Sequence, residues 1–165
     1  MNAITLLKEQ HTEVKHLFKE FEKTDSEQKQ RQLFLQIADA LAAHAEIEEK
    51  IFYPAAFAGG DEQLQAQLKE AVEEHLGVKR LIADLLEMEP GEEQFCAKMT
   101  VMHELVKHHI EEEEEELLPK VKKARDRKDL EALGQRMKQQ FDQLMEQEPR
   151  NEVPGQTDEA ASLSQ

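Results

Sequence analysis

Two segments of this chain repeat one spacing of residues that are costly to bury in a protein core. Each segment has a histidine, a glutamate four residues later and a proline ten residues later: His44, Glu48 and Pro54 in the first, and His109, Glu113 and Pro119 in the second. A further histidine lies inside an apolar helical pattern before each segment, His11 before the first and His75 before the second. The chain therefore consists of two similar halves that carry matching polar residues.

Apolar residues recur at helical spacing over four long stretches. Capping residues, a glycine pair and a Pro-Gly pair separate these stretches at Thr24–Ser26, Gly59-Gly60 and Pro90-Gly91. We predict helices from about Thr5 to Lys23, from the Thr24–Ser26 caps to Phe57, from Asp61 to Pro90, and from Glu92 to Arg125. Residues 1–126 are thus expected to form an all-α, up-down-up-down four-helix bundle.

The remainder of the chain divides into two parts. Residues 127–147 carry an amphipathic pattern that predicts an additional C-terminal helix, which packs on the bundle or forms the seam of a homodimer: Leu130, Leu133, Met137, Phe141 and Leu144. After Pro149 the sequence has no periodicity and is rich in polar residues, glycine and proline. We predict a disordered tail over 148–165.

The four histidines are expected at one depth in such a bundle. Antiparallel neighbouring helices bring two residues to the same level when both are equally far from the intervening turn, because the rise per residue is constant. For each pair of successive histidines (His11, His44, His75 and His109), the midpoint falls on or beside a predicted turn. The four-residue spacing adds Glu48 one turn from His44 and Glu113 one turn from His109.

This layer of polar side chains predicts a metal centre. Buried imidazoles and carboxylates cost several kcal/mol unless they are paired or bind a cation. Six ligands exceed the needs of one tetrahedral zinc ion, whereas two ions bridged by Glu48, Glu113 and solvent would satisfy all of them and leave a position open. The ligand types suit iron, manganese or zinc.

The pattern resembles the hemerythrin-like family, also called HHE cation-binding domains, over about residues 5–125. Phe52-Tyr53-Pro54 and Leu117-Leu118-Pro119, which close the second and fourth helices, are part of that resemblance. It implies a non-haem di-iron centre with an oxo or hydroxo bridge, which binds dioxygen or another small molecule. The ligands that it implies are His11, His44, Glu48, His75, His109 and Glu113.

Two positions depart from the oxygen-carrying members of that family. Lys79 stands where they have a fifth histidine, and Lys15 stands at the matching position of the first half. Those members also place the carboxylate of the fourth helix five residues after its histidine, so Glu114 is the alternative to Glu113. The internal repeat favours Glu113.

Three functions follow from such a centre. The leading hypothesis is a binding, sensing or storage protein for dioxygen or a related small molecule. An enzyme that decomposes peroxide or reduces nitric oxide is the alternative, and whether the protein is an enzyme stays open. Iron storage or handling is the third hypothesis, favoured by the acidic surface.

Charge and hydropathy limit the partners. The formal net charge of −15 should repel nucleic acid and anionic membranes, and no apolar run is long enough to span a bilayer. We therefore expect a cytoplasmic protein without a nucleic acid or membrane partner.

Several polar side chains are expected to have ordinary structural roles. We expect His16, His103 and His108 to lie outside the layer and Tyr53 to be a packing residue. We expect Lys15 and Lys79 to point outward; the alternative is that they pair with Glu48 or Glu113 or limit access to the open site.

Overall fold

The computed structural model describes residues 1–163, and within this range the chain is helical and contains no strand. The elements, in chain order, are α1 (Ala3–Glu22), α2 (Glu27–Ile47), a first π turn (Glu48–Phe52), α3 (Tyr53–Ala58), α4 (Glu62–Leu86), α5 (Phe95–Glu112), a second π turn (Glu113–Leu117), α6 (Leu118–Ala124), α7 (Arg127–Met145) and a 3-10 helix (Pro149–Gln156).

Four helical rods make the predicted all-α bundle. The second rod is α2 continued through the first π turn into α3, and the fourth is α5 continued through the second π turn into α6. Side-chain oxygens cap α1, α2 and α4, where Asn2, Ser26 and Asp61 each accept a hydrogen bond from the backbone N–H three residues later. The predicted breaks between the rods are confirmed, although α5 begins at Phe95, slightly later than expected.

Two apolar clusters fill the bundle above and below its middle. One cluster includes Leu7, Phe52 and Leu68, and the other includes Phe18, Phe34 and Phe95; all six side chains are at most 2% exposed. The buried polar residues lie on the stretches of helix between these clusters. Apolar burial at both ends therefore fixes the helices that carry the polar layer.

Helix α7 packs on the bundle against α1 and α2. Leu130, Leu133 and Met137 are buried in this contact. Gly134 lies so close to the start of α1 that an added Cβ would be 2.7 Å from the carbonyl carbon of Asn2. The additional helix predicted from the sequence is thus present, and its apolar face covers the bundle.

The predicted disorder of the tail over 148–165 is wrong for residues 148–163. The 3-10 helix packs against α2 and α4, and Val153 is 1% exposed. Arg150 donates to Asp39 at 2.7 Å, and Arg80 donates to the carbonyl oxygen of Thr157 at 3.0 Å. A few anchoring contacts hold this segment, and composition alone does not reveal them. Residues 164–165 lie outside the described part of the chain.

Among the described residues, no helix combines the length and the hydropathy needed to cross a bilayer.

Candidate metal centre

The structure brings together all six residues that the sequence predicts as ligands. His11 lies on α1, His44 in the last turn of α2, His75 on α4 and His109 in the last turn of α5, and each is at most 8% exposed. The ring centroids of His11 and His44 are 5.0 Å apart, and those of His75 and His109 are 4.8 Å apart. The layer predicted from the turn positions is confirmed.

Two fully buried carboxylates lie between the imidazoles. Glu48 Oε1 is 3.2 Å from Nε2 of His44 and 3.0 Å from Nε2 of His75. Glu113 contacts Nε2 of His11 at 3.1 Å and Nε2 of His109 at 3.2 Å. Each carboxylate therefore joins histidines from both halves of the chain.

The side chains form two groups that suit two cations. One group consists of His11, His44, Glu48 and Glu113, and the other consists of Glu48, His75 and His109. The ligand atoms within each group lie within 4.8 Å of one another. Since Glu48 belongs to both groups, the geometry favours two neighbouring ions that share this carboxylate.

A π turn begins at each of the two glutamates. The N–H of Tyr53 donates to the carbonyl oxygen of Glu48, and the N–H of Leu118 donates to that of Glu113, so each bond spans five residues. A proline follows directly in both cases, and proline removes a helical donor and disfavours the normal turn before it. Such π turns are frequent at functional sites. The proline that repeats in the sequence thus marks where the helix widens beside the centre.

In each half of the chain, two consecutive glutamates at the widened turn contact the two ring nitrogens of one histidine. Glu48 contacts Nε2 of His75 while Glu49 contacts its Nδ1 at 2.7 Å. In the other half, Glu113 contacts Nε2 of His11 while Glu114 contacts its Nδ1 at 2.6 Å. Glu114 is therefore outside the cluster, on the far side of the His11 ring, and Glu113 is inside it.

The other two histidines are held in the same way by residues on α1 and α4. Gln10 Oε1 is 2.7 Å from Nδ1 of His44, and Glu74 Oε1 is 2.7 Å from Nδ1 of His109. All four Nδ1 atoms thus have an outer partner, which leaves the four Nε2 atoms facing the centre. Partners of this kind orient a metal-binding imidazole and raise its basicity.

Tyr53 and Lys79 make contacts that the sequence did not predict. The Tyr53 side chain is fully buried, and its hydroxyl donates to Glu113 Oε2 at 2.5 Å, so it is part of the polar cluster as well as a packing residue. Lys79 does not point outward: it is 8% exposed and donates to Glu49 Oε1 at 2.8 Å. The buried Glu49 carboxylate favours this inward position because it compensates the charge of the ammonium group.

The three remaining histidines lie outside the layer, as the sequence predicts. His16 is exposed, and the ring of His103 stacks on Phe18 with centroids 4.4 Å apart. His108 is exposed on α5, with its Nε2 atom 3.1 Å from Glu112.

The charges of the cluster depend on one another. Burial by itself would lower the pKa of His109, but the neighbouring carboxylates of Glu113, Glu48 and Glu74 raise it well above its ordinary value. The pKa values of His11 and His75 are raised for the same kind of reason. Burial would raise the pKa of Glu48, yet the charge of His44 and the neighbouring imidazoles of His109 and His75 hold it well below its usual range. The buried carboxylates thus stabilise positive charge in the cluster, which bound cations would also supply.

The buried polar atoms without a hydrogen-bond partner show that the site fits a metal. Among the described residues these atoms are both oxygens of Glu48, Oε1 of Glu113, Nε2 of His11, Nε2 of His44 and Nε2 of Gln10. Unsatisfied polar atoms in a protein interior are rare and costly. Five of the six belong to the predicted ligands, and bound cations would satisfy them.

A small cavity adjoins the centre. It has a volume of about 40 Å³ and is lined by all four histidines together with apolar side chains that include Val78, Ile82, Val106 and Ile110. Since a single water needs roughly 10–15 Å³ on this scale, the cavity has room for a molecule of a few light atoms.

Comparison with known proteins gives a consistent result. The family model of the hemerythrin HHE cation binding domain matches residues 2–121. A solved structure of a hemerythrin HHE cation binding domain-containing protein from Mycobacterium kansasii is similar to this chain, with a TM-score of 0.75, 27% sequence identity and 89% of each chain covered.

A curated relative is longer than this chain. A DNA nickase of Nostoc sp. is 29% identical over 125 residues, which cover 74% of this chain and 34% of the relative. The chain thus spans about a third of the length of that protein.

Proposed function

The chain belongs to the hemerythrin HHE cation-binding family, and on this premise we propose that it holds two iron ions and reversibly binds dioxygen or a related small molecule. Metal binding itself follows from the family and from the buried histidine and glutamate cluster. One observation supports the finer proposal: four inward-facing Nε2 atoms and two buried carboxylates, of which Glu48 belongs to both groups, lie beside a small cavity with mostly apolar walls.

The ligand chemistry supports iron. Imidazole and carboxylate ligands suit iron, manganese and zinc. Zinc has no redox chemistry, whereas iron, when bound, supplies the electron transfer that dioxygen binding needs. His11, His44 and Glu113 would hold one ion, His75 and His109 the other, and Glu48 both.

The protein's own residues prepare the site for a small ligand. The hydrogen bonds that each Nδ1–H donates to its outer oxygen keep the imidazoles in one orientation. Val78, Ile82 and Val106 make the adjoining cavity apolar and limit the water that reaches the open position. The size of the cavity favours a diatomic molecule over an organic substrate.

Turnover of peroxide or nitric oxide is the second candidate function. It is favoured by the Tyr53 hydroxyl, which lies 3.5 Å from Nε2 of both His75 and His109 and places a proton at the centre. Lys79, which lines the cavity, is a second proton-bearing group nearby. Cleavage of the peroxide O–O bond is assisted by proton transfer to the departing oxygen, whereas simple reversible binding of dioxygen consumes no proton.

Metal content and absorption spectra test the proposal. Two iron ions per chain, with a visible absorption change that appears in air and reverses under argon over repeated cycles, support reversible binding. Rapid loss of added peroxide or nitric oxide without that reversible change supports the enzyme instead. A single ion, or zinc as the metal that activity requires, contradicts both.

Two histidine variants test which histidines bind the metal. His44→Ala should lose most of the bound metal because it removes an inward Nε2 ligand. His103→Ala removes a histidine that stacks on Phe18 outside the layer, and it should retain the metal. Equal retention in both variants would refute the ligand assignment.

A further inference from the structure

An acidic cleft leads from the surface of the bundle to the buried centre. It lies between α4 and the part of the chain formed by α5 and the second π turn. Four glutamates line it, Glu70, Glu74, Glu112 and Glu116, together with the buried His109 and Glu113. No lysine or arginine lines this cleft within the described residues.

Three side chains at the cleft form a group with metal-ligand geometry. Ligand atoms of Glu74, His108 and Glu112 lie within 4.8 Å of one another. His108 Nε2 is 3.1 Å from Glu112 and 3.9 Å from Glu74 Oε2. One imidazole and two carboxylates form a ligand set that zinc, iron and manganese accept. Because His108 is 63% exposed, solvent would complete the coordination of an ion there.

A second observation connects this group with the interior. Glu113 and His109 line the same cleft and are buried, and they belong to the two groups of the centre. Glu74 contacts both the buried centre and the surface group. Its Oε1 atom is 2.7 Å from Nδ1 of His109, and its Oε2 atom is 3.9 Å from Nε2 of His108. Only the carboxylate of Glu74 would therefore separate a cation at the surface group from His109 of the buried centre.

We propose that Glu74, His108 and Glu112 bind a divalent metal ion at the surface and deliver it through the acidic cleft to the buried histidines. The surface site itself depends only on its own three residues, whereas its role in loading rests on the proposed function of the centre. Negative side chains raise the local concentration of cations in a cleft, and this accelerates their capture. The buried centre needs such a route because its own ligands are almost closed to solvent.

Zinc titration of the metal-free protein tests the surface site. The variant is the double substitution His108→Gln with Glu112→Gln, which leaves Glu74 in place to hold His109. The control is His16→Gln with Glu20→Gln, which changes the same residue types at the same spacing on α1. Calorimetry counts the bound Zn²⁺ ions, and stopped-flow mixing with a zinc indicator gives the rate at which the centre fills.

The two experiments give distinct outcomes. We expect a third, weaker ion in the wild type and in the control. In the double variant this ion should be lost and filling should slow by about tenfold, while two ions still occupy the centre at equilibrium. A third ion that persists in the double variant, or an unchanged filling rate, overturns the proposal. A protein that binds only the weaker ion would instead contradict the proposed centre and leave the surface site standing.

Discussion

Removal of one hydroxyl group from the buried cluster should weaken metal binding. Tyr53→Phe deletes the donor that lies 2.5 Å from Glu113 Oε2 and keeps the ring that packs in the core. After the substitution, Glu113 Oε2 keeps the contact with His109 Nε2 at 3.2 Å. The hydroxyl is the group that fixes the carboxylate, so its loss allows Glu113 to rotate away from the ligand position.

Two independent estimates of the effect agree. A hydrogen bond to a charged group contributes about 1.5–3 kcal/mol. Loss of a group that orients a metal ligand typically weakens metal binding by about 10–100-fold, and tenfold corresponds to about 1.4 kcal/mol. Because Tyr53 is buried and Glu113 is charged, we expect the loss of this hydrogen bond to have an effect of this size. We expect a loss of metal affinity of about 10–100-fold.

Competition between the protein and a chromophoric chelator for Zn²⁺ measures this loss. Phe34→Leu is the control, because Phe34 is fully buried in the other apolar cluster and packs against Phe95. The control should lower the melting temperature without changing the metal affinity. If Tyr53→Phe binds metal as tightly as the wild type, the hydroxyl does not position Glu113 and the reasoning fails.

Three further predictions follow from the same structure. Glu113→Gln should lose bound metal while Glu114→Gln, one residue away, should retain most of it; the reverse order in metal analysis would make Glu114 the ligand. The pKa of His109 is raised above 6.5, so protons still compete with metal for this imidazole above that pH. The metal affinity measured by titration should therefore keep rising as the pH increases through and beyond 6.5. A metal affinity that does not change with pH in this range would contradict this. Gly77→Ala should raise the free energy of unfolding by about 0.5–1 kcal/mol, since its added Cβ meets nothing closer than 3.9 Å on α5. Gly134→Ala should lower it by about 1–3 kcal/mol, since the Cβ would collide with backbone at the start of α1; denaturant unfolding that gives both variants the same sign would refute the packing argument.

Sequence spacing predicted the bundle and the cluster because both depend on regular geometry. Helical rise is constant, so the positions of the breakers at Gly59-Gly60 and Pro90-Gly91 determine which residues meet at one depth. The internal repeat also contained more information than the ligand positions. The outer partners Gln10 and Glu74 each precede a site histidine by one residue, and Glu49 and Glu114 each follow a site glutamate by one residue. A search of the positions next to the repeated ligands would have found them.

The features that the sequence did not reveal concern residues without such regularity. Tyr53 matches Leu118 in the second half, so the repeat gave no sign of its polar role. Lys79 has the periodicity of a residue at the edge of the core, and only the tertiary position of Glu49 explains why it turns inward. The C-terminal segment folds on Asp39 and Arg80, which are distant in sequence. Long-range contacts of this kind cannot be obtained from local composition.

Anomalous diffraction at the iron edge, from crystals of the iron-loaded protein, tests the central claim most directly. We expect two peaks, one beside Nε2 of His11 and His44 and one beside Nε2 of His75 and His109, with Glu48 within ligand distance of both. A single peak in the bundle, or two peaks that Glu48 does not join, would contradict it.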